Sequence, residues 1–171
     1  MVLTIALIVI VGGGAGAAWA MGRTLSPGIP ADYATGPSAS TQVQISEAAR
    51  RHPRSAEVQE TLQAYFDAIN DRDFDGWVAA VAPDQSARQT GDLWREAYST
   101  TVDSNVMVAS VDDGPLRARV MFTSEQDVAY APKRLPSTCI NWDLTYLLAD
   151  QDGTLVLSGI DPSAQSMTPC Q

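Results

Sequence analysis

Between Ser55 and Gln171 the chain carries no histidine, so any proton-transfer chemistry in that stretch falls to carboxylates. Asp143 lies in the alternating run Ile140-Asn141-Trp142-Asp143-Leu144-Thr145-Tyr146, which on a strand places it on one face with Asn141 and Thr145. Arg117 and Arg119 share a face of a neighbouring run. An aspartate facing arginines can activate a water or hold a small acid, which makes these three the candidate catalytic residues. The same three equally form a cross-strand ion pair on a solvated face, worth a few tenths of a kcal/mol. Tyr65, Trp77, Trp94, Trp142 and Tyr146 are candidate pocket-lining rings for an apolar ligand, and their alternative is plain core filling. The single histidine, His52, stands beside Pro53 outside any periodic segment and reads as a solvated residue. One His and two Cys cannot supply the ligands of a structural zinc site, and no glycine-rich loop with a following Lys opens a helix to cradle phosphate. No metal and no cofactor is expected.

The elements that must position these residues follow from periodicity. Ser55 is a suitable N-cap, Glu57 and Glu60 suit the positive end of a helix dipole, and Val58, Leu62, Tyr65, Phe66 and Ile69 make one apolar stripe at helical spacing. That helix is expected to stop near Asn70. Asp73 can cap a second, with Phe74, Trp77, Val78 and Val81 on one side and Pro83 at its end; a third stretch runs from Leu93 to Ser99. From Thr101 the period drops to two. Val102, Val106 and Val108, then Leu116, Ala118, Val120 and Phe122, flank Asp112-Asp113-Gly114 and predict a hairpin. Ile140 to Leu148 and Leu155 to Leu157, around Asp152-Gly153, predict a second. Helices first and four antiparallel strands afterwards describe an α+β domain with its helices on one face of the sheet.

Charge and apolar content divide the chain of 171 residues into three zones. Residues 1–21 hold no charged side chain, residues 22–54 carry +2, and residues 55–171 carry −11. An acidic domain with a single lysine, Lys133, is a poor nucleic-acid partner. Val2 to Met21 would just cross a hydrocarbon core of ~30 Å as a helix at ~1.5 Å per residue. It reads as a transmembrane anchor, or alternatively as a secretory signal cleaved near Ala20 after Ala18-Trp19-Ala20. Residues 22–54, with Pro27, Pro30, Pro37 and Pro53, read as a linker rich in Pro, Gly, Ser and Ala, with a short helix possible over Gln42 to Arg51. Arg23 just after the run argues for a cytoplasmic domain by the positive-inside rule. Cys139 and Cys170, an even pair behind an export-like segment, argue for a disulfide in an oxidising compartment, with two unpaired core thiols as the alternative. The expectation is a single-pass membrane protein with an extracytoplasmic domain, or a secreted one after cleavage.

The stretch Tyr65-Phe66-Asp67-Ala68-Ile69-Asn70-Asp71-Arg72-Asp73-Phe74-Asp75-Gly76-Trp77 resembles the first helical corner of the nuclear transport factor 2-like superfamily, whose members include SnoaL-like and ketosteroid-isomerase-like proteins. There an aromatic-rich helix ends in an Ala-Ile-Asn type sequence and an Asp-aromatic pair opens the next helix. The resemblance spans residues 55–171, and the layout is similar to that of membrane-anchored extracytoplasmic members. It departs from the family in lacking, or shrinking into residues 82–90, the small hairpin usual after the second helix. It implies a curved, mainly four-stranded antiparallel sheet wrapped around a long helix into a cone, preceded here by one transmembrane helix. Such cones host enzymes and non-catalytic domains alike, so fold does not choose the function. The expected function is non-catalytic binding of a partner protein or an apolar small molecule. One alternative is an isomerase or hydrolase using a carboxylate in the cone; another is a structural module that forms a homodimer or assembles a membrane complex.

Overall fold

The computed structural model describes residues 40–170. The apolar run of residues 1–21 and most of the linker lie outside the described residues, and no described helix is long and apolar enough to cross a membrane. The fold is α+β. Five strands lie in the order β1 (Gln44–Ile45), β2 (Val102–Asp112), β3 (Arg117–Glu125), β4 (Cys139–Gln151) and β5 (Thr154–Pro169). The last four are antiparallel neighbours, as their hairpin spacing predicts, while β1 adds parallel to β2 and makes the sheet mixed. The sheet therefore has one strand more than the alternation implies. Its two residues are too few to leave a periodic signal. The segment around it nevertheless packs on the rest of the fold, with the Val43 N–H donating to Gln63 and the Ser46 N–H to the Val108 carbonyl. Val43 and Ala49 are buried, and the short helix α1 (Glu47–Arg50) is capped by Ser46, whose hydroxyl also donates to the Ala109 carbonyl.

The helix α2 (Ser55–Asp71) buries Val58, Leu62, Phe66 and Ile69, the stripe read from the sequence. Its N-cap is Arg54, not Ser55: the Arg54 guanidinium reaches Asp150 and Glu57, so this end is held by charge rather than by a hydroxyl cap. Arg72 closes the helix in the left-handed conformation, φ 59°, and lets the chain turn at once into α3 (Phe74–Ala80), whose Gly76 N–H is accepted by Asp73. Pro83, expected only as a terminator, also opens a single turn, α4 (Pro83–Ser86). Thr90 caps α5 (Gly91–Ala97).

Phe66 meets Phe122 and Tyr146 edge-on, at 5.0 and 6.4 Å between ring centres, so α2 lies along the inner face of β3 and β4. Even-numbered residues of those strands face the helix; odd-numbered ones, including Arg119 and Asp143, face away. Asp152 and Gly153, both with positive φ, form the tight β4–β5 turn. Beyond Leu157 the strand continues to Pro169, because residues 161–164 loop out of register and pairing resumes at Gln165. Pro162 has no N–H to give to a ladder and is tolerated there on an edge strand. A disulfide joins Cys139, where β4 begins, to Cys170, just past the end of β5. It closes a loop of 31 residues, which the loop-entropy model values at about 3 to 4 kcal/mol.

Candidate functional site

Between the ends of the helices and the inner face of the sheet lies a cavity of about 390 Å³. Four of the five rings proposed from the sequence are on its wall: Tyr65, Trp77, Trp142 and Tyr146. Tyr98, Phe122 and Tyr130 join them. Trp94 does not. It is fully buried behind the wall, 5.5 Å from Trp77 and 5.0 Å from Tyr98 between ring centres, where it fills core.

The candidate catalytic group divides in the same way. Asp143 is not on the wall; it projects from the opposite face of the sheet and takes two bonds from Arg119, Nε to Oδ1 at 2.9 Å and Nη2 to Oδ2 at 2.6 Å. This is a diagonal cross-strand pair, since Asp143 lies opposite Met121 and Arg119 opposite Thr145. The Asp143 carboxylate raises the Arg119 pKa further above its ordinary value. Arg117 lies opposite Leu147 and has no part in the pair. The ion-pair alternative is therefore the one the geometry realises. His52 is also remote from the cavity, with its Nε2 3.3 Å from Asp113.

The carboxylate on the wall is Asp103, near the start of β2 and only 3% exposed. Two features place it. The Asn70 amide at the end of α2 grips its backbone, accepting from the Asp103 N–H at 2.7 Å and donating to the Asp103 carbonyl at 2.9 Å. Asn105 then adopts a positive φ of 54°, and the pairing with β3 slips between Ser104 and Met107. That irregularity reverses the in–out parity, so Asp103 points inward although the inward set farther along is Val106 and Val108. Val102, read from alternation as an inward residue, is 40% exposed.

Around Asp103 the chemistry is uncharged. The Ser124 hydroxyl, directly across the ladder, donates to its Oδ1. Burial pushes the Asp103 carboxyl up to about 7, against the smaller opposing pull of that hydrogen bond. The hydroxyls of Tyr65, Tyr98 and Tyr146 are deep in the same region. Burial first, and then one another's charge and that of Asp103, hold all three well above the ordinary phenol value. The Trp142 indole N–H is buried without a partner among the described residues. That of Trp77 stands close enough to the Tyr65 hydroxyl to favour its ionised form, yet short of a formed hydrogen bond. Such a site can enclose an apolar body and meet it with one carboxyl and several hydroxyls. Near neutral pH that carboxyl can hold or release a proton.

No known family model, curated protein or solved structure matches this chain.

Proposed function

We propose that this chain is a non-catalytic binding protein whose inner cavity takes an apolar small molecule. The observation that carries the reading is the cavity itself: about 390 Å³ lined by seven aromatic rings, with Asp103 its one carboxylate. Core filling alone would leave no such space. The nuclear transport factor 2-like cone is the architecture proposed around it. In support, the Ala-Ile-Asn end of α2 supplies Asn70, which ties the long helix to β2, and all of α2's aromatic contacts fall on one face of the sheet. A single-pass anchor in residues 1–21 and an extracytoplasmic domain complete the proposal, supported by the length of the apolar run and by the disulfide.

The test is titration of the full-length chain with a neutral fluorescent dye such as N-phenyl-1-naphthylamine. Saturable enhancement is expected, and it should be lost in Ala97→Trp, which places an indole on the cavity wall, while the melting temperature stays nearly unchanged. Unsaturable binding, or saturable binding indifferent to Ala97→Trp, would sink the reading. One observation favours a second reading, an isomerase or hydrolase: the cavity does contain a carboxylate poised near neutrality, namely Asp103 rather than Asp143. That reading requires a turnover which Asp103→Asn abolishes while dye binding survives.

A further inference from the structure

A carboxylate enclosed by aromatic rings has two ways to avoid the cost of standing unpaired in a low-dielectric site: it takes a proton, or it takes a cation. Asp103 makes none of the ion pairs found among the described residues, where Arg54, Arg88, Arg95 and Arg119 are each engaged by other acids. Arg88 is the one cationic side chain on the cavity wall, and its guanidinium is held by Asp84 at 3.2 Å. The groups facing Asp103 from the packed elements are the Ser124 hydroxyl of β3 and the phenols of Tyr65 on α2, Tyr98 after α5 and Tyr146 on β4. None of them brings a positive charge.

A bare metal ion does not suit the vacancy in charge, because hard cations require several oxygen ligands and no cluster of three His, Cys, Asp or Glu exists among the described residues. The wall instead offers what an organic cation seeks. Seven aromatic rings share the cavity wall with a single carboxylate, and Tyr65, Tyr98 and Tyr146 among them interact with it directly; alkylated ammonium groups bind such surroundings through cation–π attraction while shedding little hydration. The −11 charge of residues 55–171 also raises the local concentration of cations and repels anionic ligands.

We propose that the cavity selects an organic ammonium: a ligand with an apolar body and an alkylated cationic nitrogen, for which Asp103 is the counter-ion and the surrounding rings are the cage. This inference rests on the reading of the cavity as a binding site and names the ligand class. It carries a pH signature. Asp103 must be ionised to act as counter-ion, and the phenols beside it titrate far higher, so selectivity for the cation rises as pH increases through about 7.

The experiment compares two probes on the full-length chain in lipid nanodiscs, with empty nanodiscs as the blank. One is N-benzylcholine; the other is its neutral isostere, in which a quaternary carbon replaces the nitrogen. At about pH 8.5 calorimetry should give at least about tenfold tighter binding of the cation, the size of one desolvated cation–π and ion-pair contribution. The preference should shrink to less than about threefold at about pH 5.5, and to the same level at about pH 8.5 in Asp103→Asn. The pH comparison on the unaltered protein keeps the test valid even if Asp103→Asn folds poorly. Equal affinities at high pH, a preference that ignores pH, or a preference retained in Asp103→Asn would overturn the proposal. If neither probe binds while the neutral dye does, the ammonium inference falls and the apolar-ligand reading stands. If the dye fails as well, both fall together.

Discussion

Two aspartates on opposite faces of the sheet, Asp143 and Asp103, are treated in opposite ways. On the outer face Asp143 is gripped by the planar fork of Arg119, with both side chains partly in contact with solvent, at 28% and 15% exposure. On the inner face Asp103 has one hydroxyl partner, no cation and 3% exposure. Charge on the outer face is neutralised inside the protein, and the cost of its partial burial is already offset. On the inner face the free-energy cost of the charge is left open, to be met by a proton or by something that enters the cavity. Stability alone would favour an apolar residue or an arginine partner at position 103, so the buried aspartate is the group most in need of a functional explanation.

The largest effect expected from this contrast is a pH dependence of folding. The unfolded carboxyl of Asp103 titrates near 3.9, whereas burial raises it to about 7 in the folded chain. A raised acid favours folding while it is protonated. Its stabilising share is therefore complete below about pH 4 and is lost as pH climbs through about 7, at most about 4 kcal/mol over three units. Denaturant melts between about pH 4 and 8 should show this decline in the unaltered protein and flatten in Asp103→Asn, which stays neutral throughout. An undiminished slope in the variant would mean that the inner face does not differ from the outer one. A middle-sized effect belongs to the clamp that holds Asp103 in place. Asn70→Ala leaves the Asp103 N–H and carbonyl without their partners at 2.7 and 2.9 Å, and should cost about 1–3 kcal/mol. It should also weaken dye binding, whereas a purely local loss of stability would leave the dye affinity intact.

How much of this was legible beforehand differs between the same two regions. The outer pair followed from simple alternation: Arg119 and Asp143 sit on uninterrupted stretches of β3 and β4, where a period of two holds from end to end. The inner carboxylate did not, because alternation was extended backwards from Val106 and Val108 to Val102 across Asn105, whose positive φ breaks the phase. A signal was present in the run Asp103-Ser104-Asn105, three turn-favouring residues inside a strand pattern, with Asn tolerant of the left-handed region. The long helix and both hairpins were legible because each repeats its period over several turns or pairs. The strand β1 and the turn α4 are too short for any period to show, and their positions are set by tertiary contacts such as the Ser46 hydroxyl on Ala109. Trp94 lies off the cavity wall although helical spacing puts it on the same side as Tyr98, because depth behind Trp77 is not encoded in spacing; Tyr98, Phe122 and Tyr130 line the wall without having been singled out for it by period.

The smallest expected effect is the sharpest test of the contrast. Asp143→Asn keeps the shape of the outer side chain and removes its charge, so the Arg119 guanidinium loses an anionic acceptor but still has access to water. A cross-strand ion pair in that setting contributes less than about 1 kcal/mol, and the variant should melt within a few degrees of the parent. Dye affinity and cation preference should both be unchanged, because the altered atoms are on the other side of the sheet from the cavity. If Asp143→Asn instead matched Asp103→Asn in flattening the pH profile, the two carboxylates would be one coupled system acting through the sheet. Assigning the chemistry to the inner face alone would then be wrong.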